Sequence, residues 1–317
     1  MEDADTGRRN GRMKIIRKEE KAGPRVLALG TFDGVHRGHQ ELIRLGKQLS
    51  AELGAALRVC VFDRHPLEVL CPDRAPQMLQ TPEEQQRRIE KLGVEELRII
   101  PFTSAVAETE PEEFLQKLSS ECELRGIVVG WNYTFGRLGS GSPETLRQAG
   151  ARNGFQVCVV PPVRTESGEI ISSSVIRDKL LSGDPEGAAE MLGTPYLLSG
   201  KVVNGKHQGT RIGFPTANIE TSCKKLLPAH GVYACRMECE GKVWDSVLNI
   251  GLQPTIPSGK VTVESHALDA DIDLYGKTAS VSLLKYLRPE RKFPSLEGLI
   301  AQISMDRENA RSYFRTH

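Results

Sequence analysis

Between Arg25 and about Pro161 short apolar runs alternate with longer segments of helical period, and no other feature limits the possible folds so narrowly. The runs RVLALG, LRVCVF, LRIIPF, RGIVVG and FQVCVVPP are separated by segments such as HQELIRLGKQLSAEL and PEEFLQKLSSECEL. Strands buried on both faces read as continuous apolar runs, and helices must supply the cover, so the pattern predicts a doubly wound parallel sheet. Leu42, Leu45, Leu49 and Leu53 mark the buried stripe expected of the first helix.

After about Gly183–Pro195 (GDPEGAAEMLGTP) the character changes. LLSGKVVNG, GVYACRMECEG, KVWDSVLNIG, KVTVESHALDA and KTASVSLLKYL are short, alternating and divided by turn residues, as in a small antiparallel barrel. A terminal helix is expected to follow, with Ser295 as its cap and Leu296, Leu299, Ile300 and Ile303 on its buried face. At roughly 100–200 residues per domain, a chain of 317 suits two domains. We expect them at 14–186 and 187–317, behind a disordered leader of residues 1–13 that carries almost nothing apolar.

Composition narrows the function classes. Forty-two Lys plus Arg against forty-one Asp plus Glu leave no global field to recruit nucleic acid or an anionic membrane, so an anion site must be local. No apolar run approaches the length of a membrane helix. Seven scattered cysteines, an odd number without a CxxC, suit reduced thiols in the cytoplasm, and Cys235 and Cys239 read as packing residues. Neither a GxGxxG following a strand nor a clustered Cys/His metal set is present, and the near-P-loop Gly200–His207 has His207 where a magnesium-binding hydroxyl belongs.

The loop after the first predicted strand reads Gly30-Thr31-Phe32-Asp33-Gly34-Val35-His36-Arg37-Gly38-His39. In an open α/β sheet that loop lies at the carboxyl edge, where ligands bind. Gly30, Gly34 and Gly38 permit close backbone approach to a phosphate chain, Phe32 and Asp33 complete the loop, and the helix start offers free N–H groups. His36 and His39, three apart, face the same way and suit charge stabilisation at a phosphorus; the alternative is a turn with two surface histidines. Ser172-Ser173-Ser174-Val175-Ile176-Arg177 opens a second helix, where Ser173, Ser174 and Arg177 form either a phosphate clamp or an ordinary capped start. Val129-Gly130-Trp131-Asn132-Tyr133-Thr134-Phe135-Gly136 is a strand end running into a loop, its aromatics equally suited to the core.

In the second half Gly213-Phe214-Pro215-Thr216-Ala217-Asn218 is a six-letter string expected by chance at about 10⁻⁸ per position. Thr216 and Asn218 are two apart, so on a strand both project to one side, and their hard oxygens suit Mg²⁺ shared with nucleotide phosphates. Downstream come Gly231-Val232-Tyr233-Ala234, Asn249-Ile250-Gly251 and Val263-Glu264-Ser265-His266-Ala267-Leu268-Asp269.

FDGVHRGH, VVGWNYTFG and ISSSVIR together resemble the HxGH nucleotidyltransferases, and more closely the adenylyltransferase module of the bacterial bifunctional riboflavin kinase/FAD synthetase family, over about residues 14–186. GFPTAN and ESHALD resemble that family's kinase module over about residues 187–317. The resemblance implies that His36 and His39 engage ATP phosphates, that Ser173, Ser174 and Arg177 hold the triphosphate, and that Asn132 lies near the flavin. It implies that Glu264 is the base taking the ribityl 5′-hydroxyl proton; Gly213 is expected at the ATP phosphates, beside Thr216 and Asn218 as the expected Mg²⁺ ligands. The expected substrates and products are ATP, riboflavin, FMN and FAD, with no nucleic acid or membrane partner. Arg64, Gln253 and Ala270 stand where the family usually has Pro, Arg and Phe. The rival readings are the same fold with only the kinase retained, and a flavin-binding regulator; Glu264, Thr216 and Asn218 together favour an enzyme, since a sensor needs no base.

Overall fold

All five apolar runs of the first half become parallel strands, and a sixth, unanticipated from the sequence, joins them at the edge. The computed structural model describes residues 12–205, 213–252, 261–270, 272 and 274–317, and divides into Met1–Ile171 and Ser172–His317. Elements of the first unit are β1 (Lys14–Ile16), β2 (Ala22–Leu29), α1 (Arg37–Glu52), β3 (Ala56–Phe62), α2 (Leu67–Leu70), α3 (Pro82–Lys91), β4 (Glu96–Ile100), α4 (Ser104–Ala107), α5 (Pro111–Glu121), β5 (Cys122–Gly130), α6 (Pro143–Asn153) and β6 (Gln156–Val160). Strand order is β1-β4-β3-β2-β5-β6, all parallel.

Alternation along β2 shows the double cover. Val26 and Ala28 pack with Leu42, Ile43 and Leu49 of α1 and Ile89 of α3, while Leu27 and Leu29 pack with Phe114, Leu115 and Leu118 of α5 and Leu146 of α6. Leu45 and Leu53 are only partly buried at the margin of the first cluster. Helix α3 starts at a capping box, Thr81 with Glu84, followed by Pro82, and α6 at Ser142 with Thr145, followed by Pro143. Two runs that read as apolar hide ion pairs: Arg58 meets Glu96 at 2.8 Å and Arg98 meets Glu121 at 2.8 Å. Of the expected leader, residues 1–11 lie outside the described residues, and Met13 is buried against the core.

The order of strands reverses direction between β2 and β5, which pair through Ala28 and Val128. Ligands in open α/β sheets bind at such a switch point, outside the carboxyl ends of the strands. The Gly30–His39 and Gly130–Phe135 loops both leave the sheet there.

The second unit begins with α7 (Ser173–Leu181) and α8 (Pro185–Leu192), then β7 (Tyr196–Val203), β8 (Ala217–Glu220), β9 (Gly231–Cys239), β10 (Lys242–Leu252), β11 (Val261–Ala267), β12 (Thr278–Pro289) and α9 (Leu296–Thr316). The segment GDPEGAAEMLGTP, read from the sequence as a junction, folds as α8 with Asp184 capping its start. The strands close into an antiparallel barrel in the order β10-β11-β8-β7-β12-β9. Gly200, from the near-P-loop, lies within β7, while Lys206 and His207 fall outside the described residues. Cys235 and Cys239 are buried and free, consistent with packing.

Helix α9 starts at Ser295, whose hydroxyl accepts from Gly298 N–H, and its buried face is only partly the expected one, with Leu299, Ile300 and Ile303 half-buried. Leu296 is exposed and Gln302, Asp306 and Ala310 are buried. Arg288 on β12 binds both carboxylate oxygens of Asp306, so the seam accommodates a charge that an apolar stripe would not reveal.

Candidate active sites

In the first unit the phosphate-type loop is held in an unusual backbone conformation. Phe32 has φ 52° and Val35 φ 40°, left-handed values that cost a non-glycine residue free energy, and both side chains are buried. Surrounding bonds impose this shape. Asp33, buried, accepts from Leu79 N–H at 2.9 Å, and Gln80 and Gln85 of the neighbouring segment donate to the carbonyls of Phe32 and Thr31 at 2.8 and 3.0 Å. Gly34, at φ 83°, takes the turn itself.

His36 caps α1, its Nδ1 accepting from the His39 N–H at 3.4 Å. An Nδ1 that accepts cannot carry a proton, so the Nε2–H of His36 is the donor left for a ligand. The His36 and His39 rings stack at 3.7 Å between centroids, and His39 also lies 5.0 Å from the Phe32 ring. Gly38 makes the stack possible, because a Cβ there would stand 3.0 Å from the His36 ring. At Gly30 a Cβ would press on the Phe32 ring at 3.2 Å. Burial, with the nearby Arg88 charge, pushes His36 down to about 4, and burial together with His36 holds His39 well below the ordinary imidazole range. The pair is neutral at physiological pH.

Asn132 is exposed beyond β5, its amide oxygen lying over Gly130, where a Cβ would meet it at 3.4 Å. Tyr133 and Phe135 stack at 5.8 Å and belong to the core beneath the loop. Arg64 is exposed and forks onto Asp63, whose carboxylate also accepts from Phe102 N–H.

In the second unit Ser172 is the N-cap of α7, accepting from Val175 N–H, so Ser173 and Ser174 occupy the first helical positions and Arg177 follows one turn on. In the barrel, Glu264 on β11 is in register with Asn218 on β8 and with Asn249 on β10. Cross-strand partners share a face, so a carboxylate stands between two amides. Val263 and Ser265 alternate to the buried side with Leu248 and Ile250, leaving Thr262, Glu264 and His266 on the other. Burial raises the Glu264 carboxyl, opposed by the Thr262 hydroxyl. Thr216 immediately precedes β8, and Asn218 lies over Gly205, where a Cβ would be 2.2 Å from the amide nitrogen. Gly213 has φ 86°. His266 Nδ1 lies 2.7 Å from the Pro215 carbonyl.

Sequence reasoning named Asn249 only as part of a string; its place beside Glu264 follows from barrel register, which no local pattern encodes. Arg211 of the GTRIGFPTAN stretch, Gln253, and Asp273 beyond the ESHALD string lie outside the described residues. Among the described residues no group of three His, Cys, Asp or Glu could hold a metal, and no helix is long and apolar enough to cross a membrane.

Two family models match the chain: FAD synthetase over residues 18–175 and riboflavin kinase over residues 192–314. A bifunctional riboflavin kinase/FMN adenylyltransferase of Bacillus subtilis is 37% identical over 301 residues, covering 94% of both chains. One from Escherichia coli K12 is 34% identical, covering 91% of this chain and 92% of its own. The crystal structure of a macrolide-efflux protein from Streptococcus pneumoniae matches with a TM-score of 0.83 at 31% identity, covering 94% of this chain and 98% of that one.

Proposed function

The chain belongs to the bifunctional riboflavin kinase/FMN adenylyltransferase family and carries both domains, and we propose that Glu264 with the Thr216–Asn218 segment forms its kinase centre and His36 with His39 its adenylyl-transfer centre. The protein phosphorylates riboflavin with ATP to FMN, then joins FMN to the adenylyl group of a second ATP, giving FAD and pyrophosphate. Retention of only the kinase, or a purely regulatory part, is thereby set aside.

The observation that carries the residue assignment is the register of Glu264 with Asn218, which sets a base beside an amide of the GFPTAN segment. In the kinase step Glu264 takes the proton of the ribityl 5′-hydroxyl while that oxygen bonds to the γ-phosphorus and the bond to ADP breaks. Thr216 and Asn218 suit Mg²⁺: their oxygens are hard, the absence of a side chain at Gly205 makes room for the Asn218 amide, and Mg²⁺ commonly keeps few protein ligands beside phosphates and water. When bound, the ion neutralises phosphate charge.

In the adenylyl step an FMN phosphate oxygen bonds to the α-phosphorus of ATP as the bond to pyrophosphate breaks. The attacking phosphate has no proton to lose, so neutral imidazoles suffice: the His36 Nε2–H donates to phosphate oxygen as charge develops. Gly30, Phe32, Asp33, Gly34 and Gly38 shape that phosphate loop. Ser173, Ser174 and Arg177 as a phosphate clamp, Asn132 as a flavin contact and Gly213 as a point of close approach for ATP complete the proposal, each resting on its motif. Seven free thiols support a reducing, cytoplasmic setting.

The test is Glu264→Gln in the intact chain, with FMN, FAD, ADP and pyrophosphate separated by chromatography. FMN formation should fall about 10²–10⁴-fold while supplied FMN is still converted to FAD. Near-normal FMN formation would remove Glu264 from the mechanism.

A further inference from the structure

The β8–β11 ladder stops at Ala217 paired with Ser265, just short of Thr216. Pro215 contributes to this, since a proline has no N–H to donate. Thr216 therefore sits on a segment that main-chain pairing to the strand of Glu264 does not reach. The side chain of the next residue on that strand takes over: His266 Nδ1 lies 2.7 Å from the Pro215 carbonyl oxygen. A carbonyl can only accept, so Nδ1 carries the proton and the ring is held in that tautomer. The ring also stands edge-on to Phe214, 5.9 Å between centroids, and His266 is 9% exposed.

We propose that His266 is a positioning residue for phosphoryl transfer, its Nδ1–H bond to the Pro215 carbonyl tying down the segment where the ladder has ended and thereby holding Thr216 at a set place relative to Glu264. Glu264 is anchored by its own strand pairs to Asn218 and Asn249 and does not depend on this bond. Loss of the bond thus loosens the nucleotide side of the site and leaves the base in place. The inference rests on the kinase reading of this site.

Two substitutions separate the donor from the ring. His266→Asn keeps an N–H near the position of Nδ1 and removes the ring; His266→Phe keeps the ring against Phe214 and removes the donor. In the full chain, with folding checked by circular dichroism, His266→Phe should raise KM for Mg-ATP about tenfold, the size of one neutral hydrogen bond. Its kcat at saturating Mg-ATP and its KM for riboflavin should stay within about threefold of the wild type, and His266→Asn should restore KM for Mg-ATP to within about threefold. A normal Phe variant, an impaired Asn variant, or equal loss in both would overturn the proposal, because the donor would then not be what matters. A wild-type protein that makes no FMN at all would instead overturn the kinase reading itself.

Discussion

Glu264 on β11 stands opposite Asn218 on β8, so the proposed kinase base and an amide proposed as a metal ligand lie side by side on one face of the barrel. Phosphoryl transfer to a primary alcohol depends more on trajectory than on basicity, and neighbouring strands of a closed sheet hold two such groups with little freedom.

The pH dependence of FMN formation should carry the signature of a buried carboxylate. Burial raises the Glu264 carboxyl, and a base works only when deprotonated. The acid limb of kcat/KM should therefore lie above the ordinary glutamate value of about 4.3, with activity lost as pH falls through it. The same limb should vanish from the residual rate of Glu264→Gln; a limb that persists there belongs to another group.

The histidine pair should act on one reaction only. His36→Ala or His39→Ala should lower FAD formation from supplied FMN by about 10²–10³-fold, as loss of a preorganised donor does elsewhere, and spare FMN formation from riboflavin. Because the folded pKa of His36 is depressed to about 4, its contribution to stability is present above about 6.5 and is lost as pH falls toward about 4. The loss is on the order of 3 kcal/mol. Urea titrations at several pH values should show this slope in the wild type and a shallower one in His36→Asn.

Asp306 on α9 is buried and paired with Arg288. Asp306→Ala strands that guanidinium and should cost about 3–5 kcal/mol, whereas Arg288→Met with Asp306→Leu should recover most of it. Denaturant midpoints of the two variants decide the matter; equal losses would show that the pair contributes more than its isosteric replacement.

A fragment beginning at Ser172 should fold and make FMN but no FAD. One beginning at Gly187 loses the Asp184 cap, the Glu186–Lys285 ion pair and the Leu180 carbonyl that accepts from Ala229 N–H, and should melt more than about 5 °C lower. Equal melting temperatures would mean that α7 contributes nothing to the barrel.

Much of this molecule is local and so was open to reading from its residues. Apolar runs, helical stripes and caps such as Ser295 are decided by neighbours a few positions away, and they identified the parallel sheet, the barrel and the terminal helix. The strings FDGVHRGH, GFPTAN and ESHALD likewise pointed to phosphate chemistry without coordinates. Tertiary structure alone decided what depends on distant chain segments. The edge strand β1 exists because β4 offers it a partner. Positive φ at Phe32 and Val35 persists because the neighbouring Leu79–Gln85 segment binds the loop. The seam of α9 could take Asp306 because Arg288 waits on β12, and Asn249, Glu264 and Asn218 became neighbours only when closure of the barrel set their register. Hydrogen-bond register and the partnering of buried charge are properties of the closed structure, and a side-chain period of two tells which face a residue takes but not who stands across from it.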